Sequence, residues 1–186
     1  PFFDATRDAR AHADEYREAF NRVLLSGRYI LGPEVEAFEQ EAAAYLNAPY
    51  AVAVSSGTDA LLLALLIHGI GDGDEVIVPA FGFVATTEVV RRVGAFPVFA
   101  DIDPDTYTID PEDVARKVTR STRAVIPVHL FGACADTNTI RAVAPNGTFL
   151  INDSAQAFGK ANVDTWASCA CHSFFPTKQL GGFGDG

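Results

Sequence analysis

Apolar residues recur near one helical face through residues 8–25, at Ala9, Ala13, Tyr16, Phe20, Val23 and Leu24, and predict an amphipathic helix that Gly27 ends. Gly32-Pro33 opens a second predicted helix over residues 33–46. Proline stands at an early position, Glu34 lies in the first turn, and Phe38, Ala42 and Tyr45 form the apolar stripe. Beyond it the pattern changes. Short apolar runs without alternation, at residues 50–54, 75–78, 97–100, 124–128, 148–152 and 169–174, predict buried strands. Helical segments at 59–68, 83–93, 111–118 and 137–143 lie between most of them.

Val/Ile-rich strands that do not alternate with polar residues are buried on both faces. Separated by helices, they make an α/β fold: a mainly parallel sheet with helices on both faces. No repeat, low-complexity segment or interior linker interrupts the chain. Residues 1–46 are therefore expected to be an N-terminal helical arm of one large domain spanning residues 1–186.

Ligands of such sheets bind at the carboxyl ends of the strands. Five candidate loops lie there: Ser55 to Thr58, Ala80 to Phe83, His129, Asp153, and Lys178 beyond the last strand.

Composition narrows the function. The 186 residues are 48% hydrophobic and 20% charged, which suits a globular chain with a sizeable core. Net charge is −10 and no Lys/Arg cluster occurs, which argues against nucleic acid and anionic membranes as partners. No apolar run reads as a transmembrane span or signal peptide. Three cysteines, Cys134, Cys169 and Cys171, without a secretory signal favour reduced thiols in a cytoplasm. Cys169-Ala170-Cys171-His172 invites a metal reading, but no second ligand pair follows. On a strand the two cysteines would share one face as small buried hydrophobes.

The chemistry centres on Lys178. It follows Asp153 by 25 positions (178 − 153), and Ser55-Ser56-Gly57-Thr58-Asp59-Ala60 lies far upstream. Together these offer an amine for a Schiff base, a carboxylate for a pyridinium nitrogen and a phosphate cradle, the fixed points that pyridoxal phosphate (PLP) needs. Gly57 would let the backbone approach closely, and the helix start with the Thr58 hydroxyl would hold the phosphate; the plainer alternative is a Ser/Thr-capped turn. Asp153 ends an apolar strand, where it reads either as the pyridine partner or as a helix cap. Gln156 reaches the same rim and would bond a ring hydroxyl, or stand solvated in a first turn. Phe83 would stack on a flat ring or pack in the core. Ser173 would donate to the phosphate or bond to backbone. His129 reads either as a residue lining the cleft or as a satisfied core histidine, with the core reading slightly favoured. The glycines from Gly181 to Gly186 suggest a tight backbone path beside Lys178 or a flexible tail.

Seven separated segments match one pattern in order along residues 1–186. They are Gly32-Pro33-Glu34-Val35-Glu36-Ala37-Phe38-Glu39, Ser56-Gly57-Thr58-Asp59-Ala60-Leu61, Val76-Ile77-Val78-Pro79-Ala80-Phe81, Pro97-Val98-Phe99-Ala100-Asp101-Ile102-Asp103, Ile126-Pro127-Val128-His129-Leu130-Phe131-Gly132, Asp153-Ser154-Ala155-Gln156-Ala157 and Ser173-Phe174-Phe175-Pro176-Thr177-Lys178. On them the chain resembles the DegT/DnrJ/EryC1/StrS family of PLP-dependent sugar aminotransferases, which have the aspartate-aminotransferase-type fold (fold type I).

The resemblance implies that Lys178 is the Schiff-base lysine, Asp153 the pyridine partner, Gln156 the ring-hydroxyl contact and Phe83 the stacking aromatic. Gly57, Thr58 and Ser173 match the phosphate positions. It implies amino transfer from glutamate to a keto-sugar nucleotide, and a homodimer with a shared active site. In a dehydratase branch histidine replaces the lysine, and Lys178 argues against that branch.

The chain departs from the pattern at Gly82, where a hydroxyl residue is usual, and across residues 159–172, which look shorter than usual. The family's small C-terminal domain is not within these residues, so the chain reads as a truncated large domain. A non-catalytic paralogue or fragment that keeps PLP binding or dimerisation is one alternative, and a PLP-dependent sugar dehydratase is another.

Overall fold

A computed structural model describes residues 4–160 and 167–186. The shortened stretch at 159–172 therefore lies in part outside the described residues. The chain falls into two compact units, Pro1–Ala53 and Val54–Gly186.

The first unit is helical: α1 (Ala5–Ala11), α2 (Ala13–Ser26) and α3 (Pro33–Tyr45). The single helix expected over 8–25 is divided at His12, whose backbone leaves the helical region (φ −118°, ψ 23°). The His12 ring bonds Glu15 at 2.9 Å, a local pairing that holds the junction. The apolar stripe of α2 is present but not buried, with Phe20 65% and Leu24 48% exposed. Pro33 opens α3 as expected. Arg22 donates through Nε and NH2 to the two carboxylate oxygens of Glu34, at 3.1 and 3.3 Å, and this fork ties α2 to α3.

Residues 50–54 are not a strand, contrary to the pattern. The Ala53 N–H goes to Glu39 Oε1 at 2.7 Å rather than to a neighbouring strand, and Tyr50 and Val52 stay exposed. An apolar run without a ladder partner has nowhere to place its backbone hydrogen bonds, so it stays irregular.

The second unit contains α4 (Gly57–Ile67), β1 (Glu75–Pro79), α5 (Val84–Arg92), β2 (Phe96–Ala100), α6 (Pro111–Lys117), β3 (Thr122–Val125), α7 (Thr137–Val143), β4 (Phe149–Asp153) and β5 (Cys169–Cys171). A 3₁₀ turn, Leu130–Gly132, follows β3. The five strands form one parallel sheet in the order β2-β1-β3-β4-β5.

Successive strand residues point to opposite faces, and here both faces are core. Val76, Val78, Ala124, Ile126 and Ile151 pack with Leu61, Ala64 and Leu65 of α4 and Val89 and Val90 of α5. Ile77, Val125 and Leu150 pack on the other side with Val114 of α6 and Ile140 of α7. Strands sandwiched in this way need apolar residues at every position, which is why their sequences run without alternation.

Cys171 joins the first cluster and Cys169 packs against it, as two strand residues on one face should. β5 is shorter than the expected 169–174. Phe174 N–H donates to the Gly186 carbonyl at 2.7 Å, and Gly182 N–H donates to the Phe174 carbonyl at 2.8 Å, so the chain turns back on itself instead of extending the sheet.

Candidate functional site

The chain moves from β1 to β2 through α5 on one face, then returns past β1 to β3 through α6 on the other. Right-handed crossovers require this change of face when the direction of winding reverses. Adjacent strands β1 and β3 are thus followed by connections that leave toward opposite faces, α5 on one and α7 on the other. In sheets of this kind the ligand crevice opens between two such carboxyl ends. Phe83, Thr86, His129 and Asp153 come from the segments that border it.

Asp153 is the last residue of β4 and 4% exposed. Thr86 Oγ1 of α5 donates to its Oδ2 at 2.7 Å, and the Ala155 N–H donates to its Oδ1 at 3.2 Å. Burial pushes the Asp153 carboxyl above the usual carboxylate range. The Thr86 hydrogen bond is the largest opposing influence, followed by the Ala155 N–H and the attraction of Lys178 and His172. Lys178 and His172 therefore lie near enough to act on the same buried anion. The main chain holds Asp153 in place: its N–H donates to the Pro127 carbonyl at 2.9 Å, and its carbonyl accepts from His129 N–H at 3.0 Å.

Lys178 sits half-buried in a turn whose N–H donates to the Phe175 carbonyl at 2.8 Å. A Cβ on Gly181 would stand 2.2 Å from the Pro176 carbonyl oxygen. Only glycine fits so close a return of the chain, which favours the tight path over the flexible tail.

The cradle residues do meet. Ser56 caps α4 by accepting from Asp59 N–H at 3.1 Å, and Gly57 and Thr58 form its first turn. A Cβ on Gly57 would stand 2.8 Å from Ser173 Cβ and 3.0 Å from the His172 carbonyl. Glycine alone lets the start of α4 approach the segment after β5, and that approach brings the Ser173 hydroxyl beside the helix N-terminus. Ser173 Oγ also accepts from Phe175 N–H at 3.3 Å. Backbone N–H groups at a helix start, next to a hydroxyl, form an anion site.

Gln156 Oε1 accepts from the Phe131 N–H at 2.7 Å. This identifies the acceptor end of the amide and leaves the NH2 end as the donor. The Gln156 carbonyl accepts from the side-chain amide of Gln179, the residue after Lys178. Phe83 precedes α5 and is 63% exposed, so it is not core packing. His129 is fully buried and its Nδ1 accepts from Ala135 N–H at 3.0 Å, in line with a structural histidine.

Thr86 escaped the sequence reading. Its signal was a hydroxyl on the apolar face of α5, in line with Val89 and Val90, where a purely structural helix would carry another aliphatic. A separate concavity of about 450 Å³, bordered by Arg120, Arg123 and Asn146, lies at the amino-terminal end of the sheet, away from these groups.

The donor set is therefore a buried carboxylate for a protonated ring nitrogen, an amine for a carbonyl carbon, and an anion cradle. A phosphorylated pyridine aldehyde matches all three.

Residues 10–186 match the family described as the DegT/DnrJ/EryC1/StrS aminotransferase family. The chain is 44% identical over 191 residues to a UDP-2-acetamido-2-deoxy-3-oxo-D-glucuronate aminotransferase of Pseudomonas aeruginosa, covering 100% of this chain and 53% of that protein. It is 46% identical over 194 residues to a dTDP-3-amino-3,4,6-trideoxy-alpha-D-glucose transaminase of Streptomyces venezuelae, covering 100% and 50%. The crystal structure of NtdA from Bacillus subtilis with bound cofactor PMP superposes with a TM-score of 0.95 at 35% identity, covering 100% of this chain and 43% of that one. The chain thus spans about half the length of the curated relatives it matches.

Proposed function

Because the chain belongs to the DegT/DnrJ/EryC1/StrS aminotransferase family, we propose that it carries the cofactor-binding part of a PLP-dependent sugar aminotransferase. The enzyme moves an amino group from glutamate to a keto-sugar nucleotide in amino-sugar biosynthesis. The observation that carries this reading is the buried carboxylate of Asp153 at the carboxyl end of a parallel strand, near enough to Lys178 to feel its charge. The printed activities of the P. aeruginosa and S. venezuelae relatives support the substrate class.

Bound PLP supplies an electron sink for the electrons left when a proton leaves the amino-bearing carbon. The chain's own residues do the rest. Asp153 keeps a proton on the ring nitrogen, and the Gln156 NH2 bonds the ring hydroxyl. Phe83 stacks on the ring. The N-terminus of α4, through Gly57 and Thr58, holds the phosphate together with Ser173. Lys178 anchors the cofactor through its Nζ. The same Nζ would take the proton from glutamate and deliver one to the sugar in the second half-reaction.

The reading extends to a cytoplasmic homodimer. Free thiols at Cys134, Cys169 and Cys171 suit a reducing compartment. The exposed apolar side chains Leu63, Leu66 and Ile67 on α4 offer a surface for a partner, and sedimentation tests it.

The test is an absorbance spectrum of the chain with PLP before and after borohydride, with mass spectrometry of the peptide containing Lys178. The expected result is a reducible chromophore fixed on Lys178 and absent in Lys178→Ala. Labelling scattered over surface lysines would sink the assignment. Glutamate and a keto-sugar nucleotide then test transfer. A second reading is a non-catalytic PLP-binding chain. A chromophore on Lys178 without amino-sugar product would select that reading.

A further inference from the structure

We infer that Thr86 is a positioning residue: its hydroxyl keeps Asp153 ionised inside the core and so decides that the shared proton rests on the cofactor's ring nitrogen rather than on the carboxylate. The inference rests on the cofactor reading proposed above.

Thr86 is 2% exposed and lies on the core face of α5, where valine would fill the same volume without burying a hydroxyl. The hydroxyl does not turn back on its own helix. It crosses to β4, 67 residues away in sequence, and donates to Asp153 Oδ2 at 2.7 Å. The other oxygen, Oδ1, accepts from Ala155 N–H at 3.2 Å. Each carboxylate oxygen thus receives one donor. That arrangement favours the ionised form, because protonation would turn one of the two acceptors into a donor.

Lys178 and His172 attract the charge of Asp153, but less strongly than the Thr86 hydrogen bond acts. His129, buried beside it, turns Nδ1 toward Ala135 N–H. Elsewhere on α5, Glu88 lies 3.9 Å from Arg92 and both are half exposed. Removing the Thr86 hydroxyl takes away the strongest influence that opposes burial. The carboxylate then becomes the better base, and the proton moves from ring nitrogen to Asp153.

The experiment uses the full chain loaded with PLP carrying ¹⁵N in the ring, and reads the ring-nitrogen shift by NMR across pH. In the wild type the shift is that of a protonated pyridine. In Thr86→Val it moves toward the unprotonated position, and acid uptake by the site occurs about one pH unit higher. Thr86→Ser, which keeps the hydroxyl, follows the wild type. If valine prevents folding, Thr86→Ala asks for no extra room and is read in the same way. A protonated shift in Thr86→Val or Thr86→Ala, with the wild-type pH profile, overturns the inference and leaves the cofactor reading standing. Absence of any bound-ring signal in the wild type overturns the cofactor reading, and this inference falls with it.

Discussion

A carboxylate with 4% exposure at the end of an apolar strand is costly to keep charged, and a purely structural site would not need it. For Asp153 the folded carboxyl holds its proton more tightly than the unfolded one, chiefly because of burial. Its ionisation therefore weakens the unliganded fold as pH rises from the ordinary carboxylate range through the folded pKa, and the loss is recovered on acidification. Asp153→Asn should melt at a higher temperature than the wild type at pH 8 without cofactor. The difference should shrink as pH falls. With PLP present the order should reverse, because the variant has no anion for the ring nitrogen. Thermal melts at several pH values, with and without PLP, check this; equal melting at all pH values would contradict it. The sequence made Asp153 and Gly57 legible, since a carboxylate after an apolar run and a glycine between strand and helix are local signals. Thr86 was not legible as a partner, because 67 residues separate it from Asp153.

The helices owe their stability to the faces they bury. α4 carries Leu65 at full burial and Leu61 at 3% exposure against the sheet, while Leu63, Leu66 and Ile67 on its other side remain exposed. Leu65→Ala is expected to cost about 3 kcal/mol in denaturant unfolding, because the surrounding strands cannot collapse into the space. Leu66→Ala, on the side exposed in the single chain, should change stability by under about 0.5 kcal/mol at dilutions where no partner covers that face. A similar loss at both positions would mean that the outer face is buried in solution. Element boundaries were read closely where capping chemistry is local, as at Ser56, Pro33 and Pro111. They were missed where a distant partner decides: residues 172–174 leave the sheet, with Phe174 bonded to Gly182 and Gly186, and 50–54 joins no strand among the described residues.

At the scale of the molecule, the chain divides into two compact units in the irregular stretch around Ala53. Tyr50 there is 85% exposed, and its backbone lies outside any helix or strand. Brief chymotrypsin treatment should cut after Tyr50 before it cuts any bond within β1–β4, leaving a fragment that begins at Ala51. Mass spectrometry of the first products decides it, and initial cleavage inside the sheet would contradict the division. The sequence by itself determined the α/β class, the parallel sheet covered on both faces, and the loops that carry Gly57, Asp153 and Lys178. Each of these follows from local periodicity or from the turn chemistry next to a strand. Only the tertiary structure decided the strand order β2-β1-β3-β4-β5, the seating of Gly57 against Ser173, and the Thr86 hydroxyl on Asp153. These depend on the direction in which each crossover winds and on contacts between residues far apart in the chain. Hydrophobic pattern states which face of an element is buried, but not which neighbour covers it.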